Sequence, residues 1–219
     1  MIIDVISDVV CPWCYIGKRR LERALAARGG EAPRLVWRAF QLNPDMPREG
    51  MDRAHYLATK FGSAAQARRV YDEIAAAGDA EGIEFDFSRI ARTPNTLDAH
   101  RLIRLAAARD RQDAVVEALF RAYFLEGVDI GARDALVAIA RAAGLDETAV
   151  AEYLAGEDAL DAVRREDLGA RRLGVTGVPC FIVDGRYAIS GAQAPEVFLR
   201  VIETAEQAAA EPETTAQSQ

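Results

Sequence analysis

Apolar and polar residues along the first forty positions follow the pattern of a strand, a helix and a second strand. Residues 2–7 alternate and are rich in isoleucine and valine, which is typical of a buried strand. Residues 13–27 carry apolar side chains on one face and predict an amphipathic helix that ends at Gly29. Residues 35–40 predict a second strand. This order indicates a parallel pair of strands joined by a right-handed crossover.

The middle of the chain, from residue 52 to residue 173, is rich in alanine and carries almost no strand pattern. Ser63 and Gln66 form a capping box that predicts a helix to about residue 77. Asn95 or Thr96 can cap the next helix. Glycines separate four further predicted helices, over residues 112–126, 132–143, 147–155 and 158–173. We therefore predict an all-helical block without a repeat period.

Strand patterns return near the end of the chain. Residues 180–184 and 187–190 flank Gly185 and Arg186, which predicts a tight hairpin. Pro195 can open a last amphipathic helix. Together with the first forty residues, these elements predict an α/β fold whose mixed sheet has a strand–helix–strand half and a hairpin–helix half.

Composition narrows the class of protein. The chain is 50% hydrophobic and 28% charged, which favours a soluble globular protein. Its 27 basic and 34 acidic residues give a net charge of −7, so we expect no nucleic-acid partner. No apolar run reaches the roughly 20 residues that span a bilayer, so we expect no membrane partner. The first residues lack the basic region of a secretory signal, and with Met1 as the natural start we expect a cytoplasmic protein.

Two of the three cysteines lie together in Cys11-Pro12-Trp13-Cys14, between the first strand and the first helix. Unpaired amides at a helix N-terminus favour the thiolate form of the first thiol. The second thiol, three residues later, is close enough to resolve a mixed disulfide. Pro12 suits the first helical turn, and Trp13 adds an apolar platform beside the reactive sulfur. This arrangement predicts a redox dithiol.

Two other interpretations of the pair compete with redox chemistry. The cysteines could be structural core residues, or they could be half of a zinc site. Zinc normally takes four ligands, and the remaining candidates are Cys180, His55 and His100, without a second C-x-x-C pair. We favour the redox dithiol because this motif next to a β-α-β pattern is typical of thiol chemistry, and we predict no metal site.

Several motifs, in this order, resemble one family. C-P-W-C follows the first strand, and Gly174-Val-Thr-Gly-Val-Pro179 precedes the third. The chain thereby resembles the DsbA-like branch of the thioredoxin superfamily, and further segments are similar to its FrnE-type subgroup, over nearly the whole chain except the tail. Those segments are Cys14-Tyr-Ile-Gly17, Phe40-Gln-Leu-Asn-Pro44, Pro94-Asn-Thr96 with Ala99-His100, and Ser190-Gly-Ala-Gln193.

The resemblance implies a thioredoxin-like fold with a large all-helical insertion. We expect the thioredoxin-like domain over residues 1–45 and 174–210, the inserted helical domain over 46–173, and a disordered tail over 211–219. The family pattern also implies a nucleophile, a resolving thiol, a cis-proline facing the dithiol, and a backbone segment that contacts an extended substrate peptide. The resemblance implies Cys11 as the nucleophile, Cys14 as the resolving thiol and Pro179 as the cis-proline. It implies Val178–Pro179 as the backbone segment that contacts the peptide. Pro12 and Trp13 are the other expected substrate-binding residues.

Five further residues carry weaker expectations. Cys180 follows Pro179, where such proteins usually have a bulky apolar residue. We expect it to be a small buried residue rather than a third redox thiol. Asp8 could tune the dithiol, but we expect it to cap the following turn. We expect His100 to be a packing or surface residue, and Trp37 and Phe40 to be core residues.

Three functions remain open at this point. The first is a thiol-disulfide oxidoreductase that acts on a disulfide-containing protein or a small thiol, without a bound cofactor but with glutathione as a thiol co-substrate. The second is a glutathione-dependent isomerase or transferase, similar to 2-hydroxychromene-2-carboxylate isomerase and the kappa-class glutathione transferases, which typically have a serine at the nucleophile position. The third is a non-enzymatic chaperone or binding module. Each is compatible with a monomer or a homodimer.

Overall fold

A computed structural model describes residues 1–210 of the chain. The strands are β1 (Ile2–Ser7), β2 (Arg34–Ala39), β3 (Met51–Asp52), β4 (Arg92–Thr93), β5 (Cys180–Val183) and β6 (Tyr187–Ser190). The helices are α1 (Pro12–Arg28), α2 (Arg53–Phe61), α3 (Ala64–Asp79), α4 (Leu97–Ala107), α5 (Gln112–Phe124), α6 (Arg133–Ala142), α7 (Glu147–Ala155), α8 (Leu160–Arg172) and α9 (Pro195–Ala210).

The central sheet has four strands in the order β2-β1-β5-β6. β1 runs parallel to β2 and antiparallel to β5, and β5 runs antiparallel to β6. The predicted mixed sheet, with its β-α-β and β-β-α halves, is therefore confirmed, and so is the thioredoxin-like fold class with a helical insertion. Helices α2 to α8 all lie in the chain between β2 and β5.

The middle of the chain differs from the prediction in two places. β3 and β4 form a small antiparallel sheet in a region where no strand was predicted. Each strand has only two residues, which is too short for a periodic pattern to appear. The helix α2 was also missed. It begins after Asp52, whose side chain accepts a hydrogen bond from the His55 amide at 2.9 Å.

The hairpin between β5 and β6 turns one residue earlier than predicted. Its central residues are Asp184 and Gly185, with φ of 47° and 67°, and the Arg186 amide donates to the Val183 carbonyl at 3.0 Å. Aspartate and glycine tolerate positive φ better than arginine does, which explains why the turn is centred on this pair. The helix α9 begins at Pro195, as predicted.

The two faces of the central sheet pack against different layers. Alternation along β1 directs Ile3 and Val5 to one face, which we call the first face. The first face packs against α1 and α9 and belongs to the main core. Ile6 points to the opposite face, which we call the second face. There it packs with Phe40 and with Ala170 of α8. Phe40 and Trp37 are buried, so their prediction as core residues is confirmed.

Some expectations stay predictions. The domain boundaries at residues 45/46 and 173/174 are consistent with the element order, but no observation tests them. The expected disordered tail, residues 211–219, lies outside the described residues. Within the described range, no helix combines the length and apolar character needed to cross a membrane.

Candidate functional site

The dithiol lies where β1 ends and α1 begins. The chain turns after Ser7, with the Cys11 amide donating to the Asp8 carbonyl at 3.0 Å. Cys11 is the N-cap residue of α1 and Pro12 occupies the first helical turn. No side chain caps this helix end, and the Cys14 amide donates to the Cys11 carbonyl at 3.0 Å, so Cys11 lies at the N-terminus of α1, the positive end of the helix dipole. The location predicted from the sequence is the one observed.

The two thiols differ in their surroundings. Both are free and buried, with 5% of Cys11 and 1% of Cys14 exposed, whereas Trp13 between them is 38% exposed. Burial raises the pKa of Cys14 well above its usual range, and the adjacent Cys11 thiol raises it further. The Ser7 hydroxyl and the Asp8 backbone act in the opposite direction on this pKa. Cys14 is therefore a protonated thiol at neutral pH, and the more accessible Cys11 is the better placed nucleophile.

Val178, the residue before Pro179, lies beside the dithiol just before β5, the strand that pairs with β1. The Val178–Pro179 peptide bond is cis. The Cys11 Sγ lies 3.5 Å from the Val178 carbonyl oxygen, to which the thiol can donate. Val178 is half-buried and Pro179 is buried, so the segment is partly accessible at Val178. Residues separated by 167 positions in the sequence thus meet at one point.

Asp8, three residues before Cys11, does not cap the following turn with its side chain, so that prediction is wrong. Its side chain is fully buried: Oδ2 accepts from the Leu42 amide at 2.7 Å, and Oδ1 lies 3.3 Å from His100 Nε2. The same Nε2 lies 3.2 Å from the Phe40 carbonyl, which can only accept, so Nε2 carries the proton. Asp8 therefore joins the end of β1 to the segment after β2, and His100 joins both to α4.

His100 is buried, at 4% exposure, so it is a packing residue and not a surface one. Asn95 has a structural role as well. Its Oδ1 accepts from the Leu97 amide at 2.9 Å at the start of α4, and its Nδ2 donates to the Met46 carbonyl at 2.6 Å. Of the two predicted candidates for this cap, Asn95 provides the side-chain hydrogen bond and Thr96 does not.

Cys180 lies on the second face of the sheet and is not part of the dithiol. It pairs with Ile6 in the sheet register and packs with Ile6, Phe40 and Ala170, whereas Cys11 and Cys14 belong to the main core on the first face. It is 6% exposed, and burial is the cause that raises its pKa. These surroundings agree with the expectation of a small buried residue.

The zinc interpretation gains no support from the geometry. His55 is an exposed residue of α2, and the Nε2 of His100 is hydrogen-bonded to the Phe40 carbonyl and lies 3.3 Å from Asp8 Oδ1. Among residues 1–210, no three His, Cys, Asp or Glu side chains are grouped in a way that could hold a metal ion.

A buried charge cluster that the sequence did not indicate anchors α1. Lys18 is 2% exposed, and its Nζ lies 3.3 Å from Asp113 and 3.1 Å from Glu117, both on α5. The Tyr15 hydroxyl donates to Glu117 at 2.9 Å, and burial together with that carboxylate raises the pKa of Tyr15 to about 12. The helix that carries the dithiol is thus fixed to the helical insertion. A lysine on a charged helix face gives no sequence signal of such burial.

Comparison with known proteins agrees with this geometry. The family model of the DsbA-like thioredoxin domain matches residues 2–203. The chain belongs to the DsbA-like thioredoxin family. This DsbA-like protein is 36% identical to a probable DsbA oxidoreductase, SCO1869 of Streptomyces coelicolor, with a TM-score of 0.86 over 94% of this chain and 90% of that one.

Two further proteins are similar over most of their length. The uncharacterized protein YwbO of Bacillus subtilis (strain 168) is 27% identical over 202 residues, which are 91% of this chain and 94% of YwbO. The cytosolic disulfide reductase DsbM of Pseudomonas aeruginosa, in a structure with GSH, is 19% identical, with a TM-score of 0.64 over 94% of this chain and 100% of that one. At this identity, DsbM shares the fold.

Proposed function

We propose that this DsbA-like protein is a thiol-disulfide oxidoreductase whose catalytic residues are Cys11 and Cys14. The observation that carries the proposal is the asymmetry of the two thiols at the start of α1. Cys11 occupies the uncapped helix end and is the more exposed thiol, whereas Cys14 is more deeply buried and has a raised pKa. A two-step exchange requires a nucleophilic thiol that attacks the substrate disulfide and a resolving thiol that stays protonated until the mixed disulfide has formed.

In the first step the Cys11 thiolate attacks one sulfur of a substrate disulfide. A bond forms between Cys11 Sγ and that sulfur, the substrate S–S bond breaks, and the other substrate sulfur leaves as a thiolate. In the second step Cys14 loses its proton to solvent and attacks Cys11 Sγ. The Cys11–Cys14 disulfide forms and the second substrate sulfur leaves as a thiolate. Two electrons pass from the dithiol to the substrate, and both departing thiolates take up protons from water. The reverse sequence donates a disulfide.

The substrate would bind beside Cys11. We propose that Val178 and Pro179 present backbone groups to an extended peptide, while Pro12 and Trp13 contact its side chains. The exposure of Trp13 and the half-burial of Pro12 and Val178 support this role, because these groups are accessible around an otherwise buried sulfur. An apolar ring beside the dithiol would also shield the mixed disulfide from water.

We propose a disulfide-containing protein or a small thiol as the partner, with glutathione as a co-substrate that returns the dithiol to its reduced form. GSH in the DsbM structure supports the choice of this thiol. We also propose a cytoplasmic location, where glutathione keeps thiols reduced.

The test is an insulin-reduction assay that uses glutathione as the electron source and compares three proteins. We expect the wild type to turn over and Cys11→Ser to fall to the uncatalysed rate. The matched control is Cys180→Ser, which removes a buried thiol of the second face and should keep turnover within about twofold of the wild type. Equal turnover by Cys11→Ser and the wild type would contradict the proposal.

A further inference from the structure

Gly17 lies inside α1, one turn beyond Cys14, where glycine is a poor choice for helix stability. Its backbone is right-handed helical and needs no positive φ. Glycine in a helix interior costs roughly 0.5–1 kcal/mol relative to alanine, so its presence here calls for a reason other than backbone conformation.

The space around Gly17 provides that reason. A Cβ atom at this position would lie 3.0 Å from Pro179 Cγ, 3.1 Å from Phe181 Cζ and 3.5 Å from Ala192 Cβ. The first two distances are shorter than normal carbon–carbon contacts of about 3.5–4.0 Å. A side chain at Gly17 would therefore have to displace both of these neighbours by a few tenths of an ångström.

Phe181 cannot yield easily. It is fully buried, its strand β5 is paired on both sides, and its ring packs edge-to-face on Phe198 at a centroid distance of 4.8 Å. The loop at Ala192 is likewise fixed, because Arg20 of α1 donates to the Ala192 carbonyl at 2.5 Å.

Pro179 has more freedom on one side. Its own carbonyl accepts from the Gly191 amide at 2.8 Å, but the preceding residues 174–178 are all exposed or half-buried. The Pro179 ring and Val178 are therefore the parts that a side chain at Gly17 would push outward. Val178 carries the carbonyl that lies 3.5 Å from Cys11 Sγ.

We propose that Gly17 is a positioning residue, whose missing side chain lets Pro179 pack against α1 and so sets the separation between the Val178 backbone and Cys11 Sγ. This role rests on the proposed function, because the Val178–Pro179 backbone is the segment that would hold the substrate peptide. Gly17 itself touches neither the reacting sulfurs nor the substrate.

The experiment compares Gly17→Ala and Gly17→Val with Gly169→Ala and Gly169→Val. Gly169 is the matched control: it lies inside α8, is half-buried, and has nothing within 4 Å of the position of its Cβ. Both pairs of variants change intrinsic helix propensity in the same way, but only the Gly17 pair adds atoms against Pro179. Each variant is assayed on insulin, a polypeptide that would contact the Val178 segment under the proposed function, and on 5,5′-dithiobis(2-nitrobenzoate), a small disulfide that has no peptide to bind there.

The measured quantity is the ratio of kcat/KM on insulin to the rate constant on the small disulfide. We expect this ratio to fall about tenfold in Gly17→Ala and further in Gly17→Val, because misplacement by an ångström costs up to about 100-fold. The Gly169 variants should keep the wild-type ratio. A crystal structure of Gly17→Ala should have the Val178 oxygen farther from Cys11 Sγ than in the wild type.

Three results would overturn the proposal. An unchanged ratio in Gly17→Ala would mean that the Val178 segment has not moved. If Gly17→Ala does not fold, Gly17 is required for the general packing of α1 and not for the position of Val178. A wild type that is inactive on both disulfides would remove the proposed function, and this role with it, whereas an active wild type with an unchanged variant ratio contradicts the positioning role alone.

Discussion

The first face of the central sheet buries Cys14 together with Cys11, and the second face buries Cys180; Cys14 is 1% exposed and Cys180 is 6% exposed. Burial raises the pKa of both thiols. Their neighbours differ. Cys14 lies next to the Cys11 thiol and the Ser7 hydroxyl, whereas Cys180 packs among apolar side chains of β1, the segment after β2, and α8.

The comparison separates burial from reactivity. Burial by itself makes a thiol inert, because the thiolate is the reactive form and a low dielectric disfavours it. The first face becomes a candidate redox site because β1 ends there at the start of a helix, whose N-terminal residue is Cys11 and whose first turn carries Cys14 as a second thiol. The second face has neither feature near Cys180, so the same residue type serves as a small core side chain.

The largest expected difference between the faces is covalent. We expect Cys14→Ser, mixed with a protein disulfide in the absence of other thiols, to accumulate a mixed disulfide through Cys11, because the resolving thiol is missing. The measurement is intact-protein mass spectrometry, in which the adduct adds the mass of the substrate. Cys180→Ser is the control and should release substrate as the wild type does. Release of substrate by Cys14→Ser at the wild-type rate would mean that Cys180 can resolve, and the two faces would no longer be distinct.

The second prediction concerns a substitution in the region next to the second face. Arg101 of α4 is fully buried. It is hydrogen-bonded to the end of α7 and to the connection to α8, the helix that packs on the second face. Its guanidinium donates at 2.7–3.3 Å to the carbonyls of Tyr153, Leu154, Gly156 and Asp158. We expect Arg101→Met to lower the free energy of unfolding by about 3–5 kcal/mol in urea titrations, because it leaves buried acceptors without a donor.

The control for Arg101→Met is Arg104→Met on the same helix. Arg104 pairs with Glu166 at 2.6 Å but its side chain is 45% exposed, so we expect a loss below about 1 kcal/mol. Under conditions where Arg101→Met remains folded, Cys11 should react with a small disulfide at the wild-type rate. A parallel loss of Cys11 reactivity would indicate that the two faces are coupled.

The third prediction concerns pH on the first face. Because burial raises the pKa of Cys14, its thiolate fraction at neutral pH is small and increases about tenfold per pH unit below that pKa. We therefore expect the lifetime of the mixed disulfide to shorten about tenfold per unit between pH 7 and 9, measured by acid-quenched mass spectrometry. Ser7→Ala removes a hydroxyl that lowers the pKa of Cys14, so its profile should shift to higher pH. A lifetime independent of pH would contradict this account of Cys14.

The smallest effect is expected on the second face. Burial raises the pKa of Cys180, so the folded protein retains a proton that the unfolded chain loses above about pH 8.5. The unfolded state then binds fewer protons, and stability falls as pH rises toward the folded-state pKa, by at most about 1.4 kcal/mol per unit for one thiol. Urea unfolding at pH 8, 9 and 10 should therefore decline less steeply for Cys180→Ala than for the wild type. Equal slopes would mean that Cys180 ionises alike in both states.

Local sequence patterns predicted the secondary-structure elements whose residues are close together in the chain. The strand at residues 2–7, the helix after Cys11 and the start of α9 at Pro195 each follow from periodicity or a terminal residue within a few positions. Asp8 marks where this reasoning ended. Its spacing before α1 suggested a cap, but its partners are Leu42 and His100, which are 34 and 92 residues away, and no local pattern encodes them.

By itself the sequence determined that two cysteines stand at a strand-to-helix junction, because the elements on either side are specified by neighbouring residues. Only the tertiary structure decided what faces them. The antiparallel pairing of β1 with β5 brings Val178 to Cys11 and, through the alternation of side chains along a strand, turns Cys180 to the opposite face. The close approach of Pro179 to Gly17 arises in the same way. Such contacts depend on strand register and on the distance between packed layers, which are properties of the assembled fold and not of any segment within it.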